Sequence, residues 1–125
     1  TEQVARAYGY KGSMRELPRP LAVEIYRKRY WDEPGIARVA DVYEALAEEL
    51  FDTGVNMGTS VPGTFLQRAL NVLNRRATFY PDIGVDGRIG TMTISALRSY
   101  QQRRGPAGED VLLKLCDAQQ AMRYI

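Results

Sequence analysis

Apolar residues recur at the spacing of an α-helix through most of the chain, and glycine or proline interrupts the pattern at intervals. The clearest run extends from Val39 to Met57, and Gly58 follows it as a stop. A single apolar face with a period of about 3.6 residues is typical of a helix that packs against a core. The face consists of Val39, Val42, Tyr43, Leu46, Leu50 and Phe51. The run therefore predicts a central helix.

Five further segments have helical character, and one segment differs from them. Helices are predicted over residues 1–8, from Leu17 to Trp31 with Pro18 and Pro20 in the first turn, over 61–74, from a cap at Thr91 or Thr93 to Gly105-Pro106, and from about Asp110 to the end. The last helix is expected to turn Val111, Leu112, Leu115, Cys116 and Met122 inward. Residues 80–90 predict a turn or small hairpin. About six helices with one short hairpin or loop excursion indicate an all-α, or α-dominated α+β, fold.

The residue types that are missing exclude several kinds of active site. The chain has 125 residues, no histidine and one cysteine, Cys116. Ser-His-Asp and Cys-His catalysis and histidine-ligated metal sites cannot be built from it, and neither can an intrachain disulfide or a multi-cysteine cluster. The apolar runs are far shorter than the roughly 20 residues that span a bilayer, so membrane insertion is not expected.

The charge is distributed unevenly along the chain. Residues 1–35 carry a net charge of +2, residues 36–60 of −4 and residues 61–125 of +4. Nucleic-acid binding requires a continuous basic face, which an acidic middle interrupts. We therefore expect no nucleic-acid partner.

Asp52 and Asn56 lie four residues apart on one face of the central helix, with Glu48 one turn before them. Negative charge near a helix C-terminus opposes the macrodipole, so Asp52 needs a compensating bond or a function. In the structural interpretation, Asp52 binds a neighbouring helix N-terminus or an arginine, and Asn56 helps to cap its own helix. In the functional interpretation, both side chains contact a ligand.

Tyr30 and Trp31 pair two aromatic rings, which suit either the core or stacking on a sugar. The segment around Asp86 lacks the further acidic positions of an EF-hand, so it predicts a turn and no metal site. Carboxylates without histidine leave glycoside hydrolysis as the most natural enzymatic class, because that reaction can use carboxyl groups alone and requires no cofactor.

Four motifs, in their order and spacing, resemble glycoside hydrolase family 108. They are Ile25-Tyr-Arg-Lys-Arg-Tyr-Trp31, Leu50-Phe-Asp-Thr-Gly-Val-Asn-Met-Gly58, Leu66-Gln-Arg-Ala-Leu70 and Asp86-Gly-Arg-Ile-Gly-Thr-Met-Thr93. Members are lysozyme-like muramidases of phages and bacteria, some labelled secretion activators, with a predicted peptidoglycan-binding region toward the C-terminus. The resemblance implies a lysozyme-like helical domain and cleavage of the β-1,4 bond between N-acetylmuramic acid and N-acetylglucosamine. It divides the chain into residues 1–60, the remainder of the catalytic region, and 61–125, the peptidoglycan-binding region, packed together as one domain.

The chain departs from the family at its beginning. The general-acid glutamate of the family belongs to a Glu-Gly-Gly-Tyr segment, which this sequence does not contain. Thr1 resembles the threonine that closes the element after it, so the catalytic glutamate is expected upstream of Thr1. Glu48 and Glu49 are present, but a glutamate needs burial to raise its pKa before it can serve as an acid near neutrality.

The resemblance also assigns roles to matched positions. Asp52 and Asn56 would line the glycan cleft, and Tyr30 and Trp31 would shape its wall. Two further residues, Gln67 and Asp86, would be structural, with Gln67 satisfying backbone groups and Asp86 fixing the turn. The expected partner is the peptidoglycan glycan strand. The expected site of action is the bacterial cell wall, after synthesis in the cytoplasm of a bacterium or of a phage-infected cell.

Two other functions are compatible with the residues. One is a non-catalytic module that binds cell-wall glycan through Tyr30, Trp31 and the motifs around Gln67 and Asp86. The other is a helical interaction or DNA-binding protein, because short helices with basic residues such as Arg103 and Arg104 occur in many unrelated chains. A Glu-Gly-Gly-Tyr segment before Thr1 would favour the hydrolase.

Overall fold

The computed structural model describes residues 2–74 and 80–124, and over those ranges the fold is all-α with no strand. The α-helices are α1 (Glu2–Ala7), α2 (Arg19–Arg27), α3 (Ile36–Ala40), α4 (Glu44–Met57), α5 (Val61–Val72), α6 (Thr91–Arg104) and α7 (Ala107–Tyr124). A 3-10 turn lies at Met14–Glu16 and a π-helical turn at Lys28–Asp32. No helix in the described ranges combines the length and the apolar character needed to cross a membrane. The predicted all-α class is confirmed.

Helix α2 begins as the two prolines predict. Pro18 is the N-cap and Pro20 lies in the first turn. The N–H groups of the first turn have no partner within the helix, so proline costs no helical hydrogen bond there. The helix then widens into the π-helical turn, which carries the chain through Trp31. The chain leaves this turn at Gly35, whose φ of 87° belongs to the left-handed region that glycine adopts without strain.

The predicted central helix from Val39 to Met57 is wrong at its start, because the run is divided between α3 and α4. The two helices are separated by Asp41, Val42 and Tyr43, and Tyr43 has an extended backbone with φ −139°. Its hydroxyl donates to the backbone oxygen of Gly105 at 2.6 Å, and the N–H of Leu46 donates to Oε2 of Glu109 at 3.0 Å. These bonds from the far half of the chain offset the helical bonds that the break loses. Gly58 ends α4 as predicted.

The segment before α6 is an irregular loop, without the strands of a hairpin. The expected cap at Thr91 or Thr93 is also wrong, because Gly90 is the N-cap and forms no side-chain cap bond. The hydroxyl of Thr93 instead accepts a hydrogen bond from the buried amide of Gln67, at 3.0 Å.

Helix α7 begins at Ala107, earlier than the predicted Asp110, directly after the Gly105-Pro106 break. Leu112 and Cys116 are buried as expected, but Met122 is 73% exposed. Its inward orientation was therefore a wrong prediction. The apolar pattern persists into the last turns of α7, past the point where neighbouring helices cover it.

One core joins residues from both halves of the chain. Helix α4 packs against α5 and α7, and α5 in turn packs against α6 and α7. The largest fully buried side chains are Ile36, Leu46 and Leu50 from the first half and Phe65, Leu66, Leu70, Leu97, Tyr100 and Leu112 from the second. Trp31 and Phe51 pack against this core from its edge.

Candidate functional site

Three aromatic rings form an open hollow at the edge of the core, which we call the aromatic hollow. Its rings are Tyr26, Trp31 and Phe51, its volume is about 420 Å³, and Val23 and Arg27 complete its lining. Trp31 lies edge-on to Phe51 with ring centroids 5.6 Å apart, and Tyr26 lies edge-on to the same ring at 5.9 Å. The π-helical turn places Trp31 here. A hollow with exposed ring surface can stack against the apolar face of a sugar.

Tyr30 does not share the aromatic hollow with Trp31. It lines a second hollow of about 240 Å³ with residues of α1 and α2. Its ring centroid lies 4.9 Å from that of Tyr26, and Tyr26 lines both hollows. The two expected wall residues are thus connected through Tyr26, a residue to which the sequence interpretation gave no role in the site.

Asp52 and Asn56 are exposed on α4 and do not line either hollow. Asp52 directly follows Phe51, and Asn56 lies one turn further along the helix. Within the described ranges, neither side chain makes a hydrogen bond or ion pair, so the compensating bonds of the structural interpretation are not formed. Both side chains retain their hydrogen-bonding groups for solvent or a ligand.

Glu49 is the acidic side chain with the most perturbed environment. A hydrogen bond with Asp117 of α7, partial burial, and the charges of Asp117 and Asp52 raise the pKa of Glu49 to about 7. Glu48, its neighbour, is exposed. Glu49 therefore has the raised pKa that the sequence analysis required of an acid. It achieves this through Asp117, a partner on another helix, and it lies between α4 and α7, outside the lining of the aromatic hollow.

The buried amide of Gln67, which is 1% exposed, connects α5 to the loop before α6. Its Nε2 donates to Oδ1 of Asp86 at 2.9 Å and to the backbone oxygen of Arg88 at 2.8 Å. Its Oε1 accepts from the backbone N–H groups of Asp86 and Gly87 at 3.1 and 2.9 Å. The Asp86 carboxylate also accepts from the backbone N–H of Arg88, which, with Gln67, lowers the pKa of Asp86.

Asn71 of α5 and Asn74, in the turn after that helix, hold the earlier part of the same loop. The side chain of Asn71 donates to the backbone oxygen of Ile83 at 2.8 Å and accepts from its N–H at 2.9 Å. Asn74 is fully buried, and its side chain bonds both backbone groups of Tyr80. The sequence interpretation missed both residues, although their spacing from Gln67 places all three amides on one face of the helix predicted over residues 61–74.

Comparison with family models divides the chain at the turn between α4 and α5. Residues 1–58 match the family Glycosyl hydrolase 108, and residues 61–125 match the family Predicted Peptidoglycan domain. A comparison with curated proteins finds no match. The suspected relationship is confirmed, because both expected segments are present in the expected order. The chain therefore belongs to the Predicted Peptidoglycan domain family, and ahead of that domain it carries a segment that matches Glycosyl hydrolase 108.

Proposed function

We propose that this chain is the glycan-binding body of a lysozyme-type hydrolase that cleaves the β-1,4 bond between N-acetylmuramic acid and N-acetylglucosamine. The observation that carries the proposal is the pairing of a glycosyl hydrolase segment with a peptidoglycan domain on one shared core. The two matches support a peptidoglycan-related function. The bond that is cleaved comes from the family resemblance.

The proposed division assigns residues 1–60 to the catalytic region and residues 61–125 to peptidoglycan binding. The hydrogen bonds of Tyr43 to Gly105 and of Leu46 to Glu109 cross this boundary and support packing as one domain. A glycan strand bound to the second part would therefore be held in a fixed orientation to the first.

In the proposed complex, sugar rings stack on the aromatic hollow, and the exposed groups of Asp52 and Asn56 orient the glycan by hydrogen bonds. The family's general-acid glutamate protonates the leaving glycosidic oxygen as the bond breaks through an oxocarbenium-like transition state. Water adds its hydroxyl to the anomeric carbon and gives up a proton that replaces the one the glutamate donated. We place that glutamate upstream of Thr1, because residues 1–125 contain no Glu-Gly-Gly-Tyr segment. The reaction needs no cofactor.

The test compares residues 1–125 with a form extended upstream to a natural start. Turbidity of a peptidoglycan suspension and chromatography of the released fragments are measured for both. We expect only the extended form to release fragments with new reducing ends, and its glutamate-to-glutamine variant to be inactive. Cleavage by residues 1–125 alone would contradict an upstream acid, and loss of that cleavage in Glu49→Gln would transfer the role to Glu49.

A second candidate is a non-catalytic module for cell-wall binding, which the match of residues 61–125 to a peptidoglycan domain favours. Both candidates act at the cell wall, and we propose synthesis in the cytoplasm before release. An extended form that sediments with peptidoglycan but releases no fragments would establish this candidate and contradict the hydrolase.

A further inference from the structure

A polar groove of about 420 Å³ lies where the two family segments meet, and we call it the junction groove. Its lining comes from the π-helical turn and the residue after it, from the turn before α5 and from the loop before α6. The lining residues that bear on ligand binding are Arg29, Glu33, Ser60, Gly87, Arg88 and Gly90. The groove is separate from the aromatic hollow, with which it shares no lining residue.

Positive charge predominates in the junction groove. Arg29 and Arg88 contribute two guanidinium groups, and Glu33 contributes one carboxylate. The Glu33 carboxylate is engaged by the hydroxyl of Tyr8, whose pKa is raised to about 12 by burial and by this hydrogen bond. The groove therefore has a surplus of cationic groups over carboxylates.

The side chain of Arg29 has a buried hydrogen-bond donor that makes no hydrogen bond within the described ranges. Its Nε is buried and has no hydrogen-bond partner among the described residues. Its guanidinium lies 5.7 Å from the ring centroid of Tyr30, a cation–π contact that fixes the group and uses no acceptor. A buried donor without a partner is costly, and more so when it is charged. The other N–H groups of Arg29 make no hydrogen bond within the described ranges, so they can donate to an acceptor on a ligand in the groove that this residue lines.

The opposite side of the groove adds further positive potential. The backbone N–H and oxygen of Arg88 are bonded to Asp86 and Gln67, while its exposed side chain makes no ion pair within the described ranges. Ser60 and Gly90 are the N-caps of α5 and α6, and neither helix has a side-chain cap bond. The positive ends of two helix dipoles thus adjoin the two guanidinium groups.

From these contacts we propose that the junction groove binds a free carboxylate of the peptide stem carried by peptidoglycan glycan, an inference that rests on the proposed function. A guanidinium fork matches the two oxygens of a planar carboxylate. In peptide-bearing glycan the lactyl carboxyl of N-acetylmuramic acid is bonded to the stem as an amide, so the free carboxylates of the stem carry the negative charge that the groove complements. Glu33 disfavours a phosphate dianion more strongly than a carboxylate, because repulsion grows with charge.

The test measures binding of two soluble probes by calorimetry. One is a disaccharide tetrapeptide from peptidoglycan, and the other is the same disaccharide without peptide, with its lactyl carboxyl capped as the primary amide so that it carries no charge. The variants are Arg29→Gln and Arg88→Gln, and the control is Arg98→Gln, an exposed arginine of α6 away from the groove. Each groove variant should weaken tetrapeptide binding about tenfold, the loss expected for one charge-assisted hydrogen bond. Binding of the peptide-free disaccharide should not change. Arg88 is exposed, so its variant tests the groove without disturbing the core.

Three outcomes would overturn the inference. Equal affinity for both probes, unaffected by Arg88→Gln, would show that the peptide does not bind in the groove. Glycan binding and the proposed function would not be affected by that result. Competition by inorganic phosphate as effective as that by the free tetrapeptide would reduce the groove to a general anion site. Binding of neither probe would contradict both the inference and the proposed function.

Discussion

Gln67 and Asn74, which position the loop before α6, are buried and hydrogen-bonded, whereas Asp52 and Asn56 are exposed on α4. The contrast separates two uses of polar groups in this molecule. Gln67 satisfies backbone groups that would otherwise be buried without partners. Asp52 and Asn56 leave their groups in contact with solvent, where a ligand can reach them.

Replacing Gln67 should destabilise the protein strongly. Gln67→Ala leaves the backbone oxygen of Arg88 and the N–H of Gly87 without their partner, and we expect a loss of about 3 kcal/mol in the free energy of unfolding. Urea denaturation measures it. The control is Gln102→Ala at an exposed position of α6, with a change within about 0.5 kcal/mol. Equal effects of the two substitutions would show that the network contributes nothing.

Glu49 should make the stability depend on pH. Its pKa in the folded protein is raised from 4.5 to about 7, so the folded state binds the proton more tightly than the unfolded state. The contribution of Glu49 to stability is therefore fully present below pH 4.5 and is lost as the pH rises through 7. Because water screens this partly exposed group, we expect about 1 kcal/mol, or a fall of roughly 3 °C in melting temperature.

The test of Glu49 is a series of thermal melts between pH 4.5 and pH 8 on the wild type and on Glu49→Gln. The glutamine of this variant cannot ionise, so its melting temperature should not show the part of the fall with rising pH that is due to Glu49. Glu48→Gln, at the exposed neighbouring position, is the matched control and should retain the decline. Identical profiles for wild type and Glu49→Gln would contradict the assigned environment.

At these positions the sequence indicated which side chains could act as acids or bind sugar, but it did not indicate which residues surround them. The exposure of Glu48 and partial burial of Glu49 follow from helix periodicity, but the pKa of Glu49 depends on Asp117, which only the packing of α4 on α7 brings near. Likewise, no spacing indicates that Tyr26 connects the hollows of Tyr30 and Trp31. Long-range contacts decide both features.

Among the helices, the boundaries set by glycine and proline were predictable, and those set by tertiary contacts were not. Pro18, Pro20 and Gly58 mark helix ends correctly because their backbone restrictions are local. The break between α3 and α4 escaped prediction because the apolar pattern continues through Val42 and Tyr43. Its partners, Gly105 and Glu109, lie in the other half of the chain.

The contact between α5 and the loop before α6 should be intolerant of added volume. A Cβ at Gly63 would lie 2.3 Å from the backbone oxygen of Gly87, so Gly63→Ala should force the two segments apart. We expect a loss of at least about 2 kcal/mol in the free energy of unfolding. Gly84→Ala, in the same loop but with open space around its Cβ, should cost less than about 0.5 kcal/mol. Similar costs at the two positions would contradict the close approach.

At the scale of the whole molecule, buried side chains from both sides of the family boundary belong to one core cluster. The core cluster contains Leu46 and Leu50 before the boundary and Phe65, Leu70 and Leu112 after it. A sequence that matches two families suggests two units, but a segment of about 60 residues buries a small enough fraction of its surface to be marginal on its own.

Separating the segments should therefore unfold both. Residues 1–58 and residues 61–125, expressed apart, should each lack a cooperative thermal transition by circular dichroism, because each exposes half of the core. Mixing the two fragments should restore helical signal. A cooperative transition in residues 61–125 alone would contradict a single packed domain.

Binding of this chain to peptidoglycan glycan can be measured by co-sedimentation of residues 1–125 with purified peptidoglycan. We expect saturable binding that Trp31→Ala and the more exposed Tyr26→Ala each weaken about tenfold. Met92→Ala, at a side chain that is 64% exposed on α6, should bind like the wild type. A chain that stays in the supernatant would contradict glycan binding, and binding that neither Trp31→Ala nor Tyr26→Ala weakens would contradict the role of the aromatic hollow.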